Sequence, residues 1–293
     1  MEEEQESLII YHASCADGFT AAWVVHQYGH NHGLSHNPEL WYAQYGSAPP
    51  DVTGRDVVIV DFSYPLGVML ELAEKAKSII CLDHHKTVDD EVKALDWVTF
   101  DNGRSGAMLA WDTFAGDAEY ATVGQSLCEY VQDRDLWQWK LPRSHEVSAA
   151  LTLTPMELDA WTAFASGLEF DADVILQRGR TVMQLQNLWA KQKTKHATTR
   201  TIRGFEVPCV NLAVKLQSEV GHMLCDDVDN PVPFSASFFL TQNDQGEEQA
   251  VFSLRSTDRG EDVGAIAKSF GGGGHRNAAG FSVPLSALFE GLK

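Results

Sequence analysis

Short, continuous apolar runs separated by longer amphipathic stretches set the pattern of the first half of the chain. Leu8-Ile9-Ile10-Tyr11, Val57-Val58-Ile59-Val60 and Ser78-Ile79-Ile80-Cys81-Leu82 are too short for helices and are rich in β-branched residues. Runs of this kind predict strands buried on both faces. Residues 18–28 (GFTAAWVVHQY) and 66–77 have the length and composition of helices between them. Strand–helix alternation predicts a parallel sheet covered by helices. Further helices are expected over 105–114, with Ser105 as N-cap, over 124–131, 155–165 and 171–196. From about residue 205 the pattern changes. Strands are expected over 207–211, 234–241 and 250–254, helices over 212–225 and 262–270, and a hairpin-type turn over 242–246.

The fold class that follows is α/β, with a parallel-sheet domain at the N-terminal end and a smaller α/β domain at the C-terminal end. The expected division is 1–180 for the first domain, 181–204 for a helical linker and 205–293 for the second. At 293 residues the chain has room for two cores. No apolar run approaches the ~18 residues of a membrane span, and the acidic start Met1-Glu2-Glu3-Glu4-Gln5-Glu6 is the opposite of a basic signal peptide. Five scattered cysteines without a CxxC pair fit a reduced, cytoplasmic protein. A net charge of −19, from 41 acidic and 22 basic residues, argues against a grip on long duplex nucleic acid and is easier to reconcile with a small anionic substrate.

Chemistry collects beyond the C-terminal ends of strands in parallel sheets. The first strand runs into Tyr11-His12-Ala13-Ser14-Cys15-Ala16-Asp17-Gly18, the second into Asp61 and the third into Asp83-His84-His85. A fourth acidic site, Asp133-Arg134-Asp135, follows a helix. Imidazoles and carboxylates converging from separate strand ends are what a two-metal hydrolase of phosphate esters requires. Near the C-terminus, Gly271-Gly272-Gly273-Gly274-His275 leaves the backbone bare, so that its N–H groups can approach an anion closely. A GxxxxGK[ST] phosphate loop is excluded because no Lys-Ser/Thr pair follows the glycines. No Ser-His-Asp arrangement is evident, which discounts a serine hydrolase.

Taken in order, these motifs resemble the DHH phosphoesterase family, and the C-terminal part resembles that family's DHHA1 domain. The resemblance covers residues 8–283. It implies a metal-bearing domain over which the DHHA1 domain closes to hold the substrate. It implies His12, Asp17, Asp61, His84 and Asp133 as metal ligands, with Asp61 bridging two ions and Asp135 as the alternative to Asp133. Manganese is the expected metal, with Mg²⁺, Fe²⁺ or Zn²⁺ as alternatives. His85 would face the scissile phosphate, and Asp83 would hold the His84 ring or lie close to the metals. Arg255, His275 and the backbone of Gly272, Gly273 and Gly274 would grip the substrate. Arg104, beside a helix start, is read either as a phosphate contact or as a solvated loop residue. Trp137 and Trp139 are read first as core packing, with base stacking as the alternative. His26, His30, His32 and His36 are read as a solvated loop.

One departure from the family stands out. The first turn usually reads Asp-x-Asp-Gly, and here it reads Cys15-Ala16-Asp17-Gly18. Cys15 is either a thiolate ligand favouring softer metals, a neutral bystander or a buried structural thiol. The expected substrate is a short oligonucleotide or a small nucleotide, a cyclic dinucleotide or pAp being the alternatives. A degenerate nucleotide-binding module without turnover is the rival reading. A homodimer is an open expectation.

Overall fold

The computed structural model describes residues 7–116, 123–212, 216–226, 231–243 and 245–290. The acidic start, positions 213–215 of the expected 212–225 helix and Asp244 of the expected turn lie outside them. The chain divides into two units, Met1–Val182 and Met183–Lys293.

The first unit begins with β1 (Leu8–His12), α1 (Ala16–Tyr28), β2 (Glu39–Ala43), β3 (Asp56–Val60), α2 (Leu66–Lys75), β4 (Ser78–Asp83), α3 (Asp90–Lys93) and β5 (Val98–Phe100). The helices α4 (Gly106–Phe114), α5 (Gln125–Asp135), α6 (Ser144–Leu151), α7 (Leu158–Phe170) and α8 (Ala172–Thr194) follow, the last continuing into the second unit. The strands form one parallel sheet in the order β2-β1-β3-β4-β5. Alternate strand residues enter two cores. Ile9, Val58, Val60 and Leu82 face α1, α4 and α5, while Leu8, Ile10, Val57, Ile59 and Cys81 face Met69 and Leu72 of α2. Burial on both faces is why β1 and β3 read as unbroken apolar runs, whereas Ile80 of β4 is exposed.

The chain leaves β1 to form β2 on one side and returns to form β3 on the other. The strand order therefore reverses between β1 and β3, and a crevice opens at their C-terminal ends, where ligands of open α/β sheets bind. Two reciprocal hydrogen bonds lock α1 to α7. The Trp23 indole donates to Thr162 Oγ1 at 2.9 Å and the Trp161 indole to Thr20 Oγ1 at 2.9 Å, and both rings are fully buried. Truncating either tryptophan to Ala removes packing of about 3–5 kcal/mol.

The second unit comprises β6 (Thr198–Ile202), β7 (Phe205–Asn211), α9 (Gln217–Cys225), β8 (Ser235–Gln242), β9 (Glu248–Arg255), α10 (Val263–Lys268), β10 (Gly273–His275), β11 (Ala278–Pro284) and α11 (Leu285–Glu290). Its sheet runs β10-β11-β9-β8-β7-β6 and is antiparallel except at β7–β8. The structure adds β2, β5, β6, β10 and β11 to the strands expected from sequence. The linker expected over 181–204 is helical only to Thr194, since Thr198–Ile202 pairs with β7 as the edge of the second sheet. Among the described residues, no helix is long and apolar enough to cross a membrane.

Candidate metal centre

Three strand ends bring the expected residues together. His12 closes β1. A turn with Ser14 at φ +54° then starts α1, which carries Asp17 in its first turn. Asp61 follows β3 at φ +55°, a left-handed conformation that a non-glycine residue rarely holds, with its N–H on the Leu82 carbonyl at 2.8 Å. Two glycines make room for it. A Cβ on Gly18 would meet the His12 carbonyl at 2.7 Å and Asp61 Oδ2 at 3.1 Å, and one on Gly106 would meet Asp61 Cβ at 2.6 Å.

His84 Nε2 lies 2.9 Å from Asp61 Oδ1, 3.4 Å from Asp17 Oδ2 and 3.7 Å from Asp135 Oδ2. On the other side of Asp61, Oδ2 lies 3.6 Å from His12 Nδ1. Asp17 is oriented by the N-terminus of α4, where the Gly106 and Ala107 N–H groups donate to its two oxygens at 2.7 and 2.9 Å. A carboxylate in that position is favoured by the helix dipole. Asp83 is fully buried and orients the adjacent histidines. Its Oδ1 accepts from the His84 and His85 N–H groups and lies 2.8 Å from His85 Nδ1, so the ring it holds is that of His85 rather than the expected His84, while its Oδ2 accepts from Ser63 Oγ.

So many buried carboxylates demand cations. Burial would pull the His84 imidazole down, yet Asp61, Asp17 and Asp135 push it up to about 10. Burial likewise opposes protonation of His85, and Asp83 and Asp61 raise it to about 9. The Asp17 and Asp135 carboxyls are held above the ordinary range, first by burial and then by repulsion from Asp61. Asp61 itself falls well below that range in spite of its burial, because His12 and His84 stabilise its charge. The Cys15 thiol is raised by burial and then by Asp61, Asp135 and Asp17.

The donor set fits divalent ions. His12, Cys15 and Asp61 form one group, Asp17, Asp61 and His84 a second, and Asp61, Asp83 and His85 a third, with ligand atoms within 4.8 Å in each. His12 Nδ1, Asp61 Oδ2 and Asp135 Oδ2 are buried without a hydrogen bond, as atoms reserved for an ion would be. Asp61 belongs to all three groups.

Asp133 sits elsewhere. Its carboxylate accepts from the Lys140 N–H at 2.8 Å and the Leu141 N–H at 3.2 Å, so it anchors the loop after α5, while Asp135 is the residue that reaches His84. The structure therefore places Asp135, the expected alternative, beside His84 and turns Asp133 away from it. Arg104 pairs with Asp112 at an exposed position, including a 3.0 Å bond from Nε. His30 stacks on His36, and His32 Nε2 lies 3.2 Å from the Phe114 carbonyl; none of the metal-ligand groups includes these residues.

In the second unit, Arg255 Nη2 donates to Ser218 Oγ at 2.7 Å. The glycine run is not an open loop. Gly273–His275 pairs with Ala278–Gly280 as β10, and a Cβ on Gly272 would meet the Gly280 carbonyl at 2.1 Å. The Gly272 N–H closes the end of α10 on the Ala267 carbonyl at 3.0 Å, so the expected donation from Gly272 to a phosphate is corrected. Tyr45, just beyond β2, carries no periodic signal in the sequence. Its half-exposed ring lies edge-on to His12 at 5.5 Å and within 6.4 Å of His85.

Residues 215–293 match the DHHA1 domain. An uncharacterised protein, R106 of Acanthamoeba polyphaga mimivirus, is 24% identical over 307 residues, spanning 99% of this chain and 69% of that protein. An exopolyphosphatase-related protein from Bacteroides fragilis superposes with a TM-score of 0.53 at 14% identity, covering 95% of this chain and 86% of that one. RecJ from Thermus thermophilus, solved in complex with Mn²⁺, superposes with a TM-score of 0.52 at 15% identity, covering 98% of this chain and 50% of that one. The chain shares the fold of these two solved proteins, and its C-terminal end matches the DHHA1 domain.

Proposed function

We propose that this chain is a two-metal phosphoesterase that hydrolyses short oligonucleotides or small nucleotides. The observation that carries the reading is Asp61, whose two oxygens serve His12 on one side and His84 on the other. One ion would be held by His12, Cys15 and Asp61, and the other by Asp17, Asp61, His84 and Asp135. Ions bound there supply a water of lowered pKa and neutralise charge on the phosphoryl group. Manganese is the proposed metal, in line with the Mn²⁺ bound by the RecJ structure of the same fold.

The protein's own groups do the rest. The Asp83–His85 bond at 2.8 Å fixes the His85 ring, and Asp83 and Asp61 favour its imidazolium form, in which the other nitrogen would hold a proton at the scissile ester. Asp83 acts through His85 as a positioning residue. Arg255, His275 and the backbone of Gly273 and Gly274 remain the proposed substrate contacts, and the net charge of −19 favours a small nucleotide over a long duplex.

The test is hydrolysis of a dinucleotide, a cyclic dinucleotide, pAp and pyrophosphate with Mn²⁺, Mg²⁺ or Zn²⁺, alongside metal analysis by mass spectrometry. Two ions per chain and turnover of at least one nucleotide are expected. Bound metal without turnover of any substrate would leave the degenerate binding module, the reading that a neutral Cys15 thiol favours.

A further inference from the structure

The loop between α5 and α6 has no role in the metal centre, yet it is built with care. Trp137 and Trp139 both hold left-handed backbone, at φ +54° and +53°, which bulky residues rarely adopt. Asp133 enforces that shape. Its carboxylate takes the Lys140 and Leu141 N–H groups, and its carbonyl takes the Gln138 and Trp139 N–H groups at 2.8 and 3.4 Å. Neither indole belongs to the hydrophobic cores, so the core-packing expectation is corrected. The rings form a cluster of their own. Trp137 and Trp139 meet edge to face at 5.1 Å, Trp139 stacks on His145 at 3.8 Å, and the Arg134 guanidinium lies 5.4 and 5.5 Å from the two indole centres.

We infer that this Trp137–Trp139–Arg134 cluster is a stacking platform for a nucleobase, so that the substrate carries a base beside the phosphate held at the metal centre. Position supports it. Trp137 follows Asp135 by two residues, which limits their Cα separation to about 7 Å, and Asp135 reaches His84. Chemistry supports it too. Indole faces stack on any base, and a guanidinium at the same rings adds cation–π attraction and a positive charge for a flanking phosphate. Strained backbone at a site next to a reaction centre points to function when the surrounding hydrogen bonds over-determine it. A bare polyphosphate would gain nothing from such a surface. The inference rests on the phosphoesterase reading for the phosphate site and adds the base.

Adenosine 5′-monophosphate and ribose 5-phosphate differ only in the base, so their dissociation constants on the Mn²⁺-loaded full-length protein isolate the platform. The wild type should bind the base-bearing ligand more tightly and show tryptophan quenching with it alone. Trp137→Leu, which keeps the bulk but removes the π-face, should reduce the ratio of the two constants by about 5- to 150-fold, and Trp137→Phe should restore most of it. Equal affinity of the wild type for both ligands, or an unchanged ratio in Trp137→Leu and Trp139→Leu, overturns the platform and leaves the metal centre intact. Should the wild type bind neither ligand while retaining metal, the phosphate site itself fails, and the phosphoesterase reading fails with it.

Discussion

Asp133 and Asp135 lie two residues apart on one helix, and the structure gives them opposite jobs that mutation can separate. Asp133→Ala removes two charge-assisted bonds, from Lys140 N–H at 2.8 Å and Leu141 N–H at 3.2 Å. A hydrogen bond to a charged group contributes about 1.5–3 kcal/mol. Both donors are only partly buried, so water replaces some of the loss, and about 2–4 kcal/mol is expected. For a unit of this size that corresponds to a Tm lower by about 4–16 °C. Metal should stay bound. Asp135→Asn should do the reverse. Burial and Asp61 hold the Asp135 carboxyl above the ordinary range, so at neutral pH its charge is penalised in the metal-free fold. A folded-state pKa above the unfolded value means that the fold favours the protonated acid, and the neutral amide mimics that state. The metal-free variant should therefore be at least as stable as the wild type, while metal content and turnover collapse. Thermal melts with and without chelator, paired with metal analysis after dialysis, read both effects. Retention of both ions by Asp135→Asn together with their loss from Asp133→Ala would refute the assignment.

Three further outcomes follow from the same geometry. In Gly106→Ala the new Cβ would land 2.6 Å from Asp61 Cβ. Displacing that carboxylate should cost about 100-fold in kcat/KM with the far-UV circular dichroism unchanged, and activity at the wild-type level would mean that Asp61 is not the shared ligand. Asp61→Ala should abolish turnover and reduce the metal content to fewer than two ions per chain, whereas full occupancy after that change would contradict a bridging role. If Cys15 binds as a thiolate, the Co²⁺-loaded wild type should show a sulfur-to-cobalt charge-transfer band in the near ultraviolet. That band should vanish in Cys15→Asp, with metal preference moving toward Mg²⁺; its absence from the wild type makes Cys15 a bystander.

The centre was legible in the sequence at the strand ends and at the start of α1, and obscure at the far end of α5. His12, Asp61 and His84 each follow an unbroken apolar run, and a buried parallel strand can place its next residue only at the sheet's C-terminal edge. Strands with less to bury were harder to see. Two of the five residues of β2 are exposed aromatics at the sheet edge, and in the three-residue β10 Gly274 lies against Ala279 too closely for a side chain. The carboxylate at the end of α5 needed a different argument. Residues two apart on a helix differ by about 200° around its axis, so Asp133 and Asp135 cannot both face the sheet. Cys128 and Val131 enter the same core as α1, and Asp135 continues their line at i, i+3 and i+7. That stripe is a stronger pointer than proximity to the apolar end of the helix. Asp133 leaves the stripe, turns toward the chain that follows and holds it through four backbone N–H groups. The two carboxylates thus couple the centre to the tryptophan loop through one turn of helix. A change at Asp133 should then weaken recognition of the base while sparing the metals, a separation that the melts, the metal analysis and the paired ligand titrations would register together.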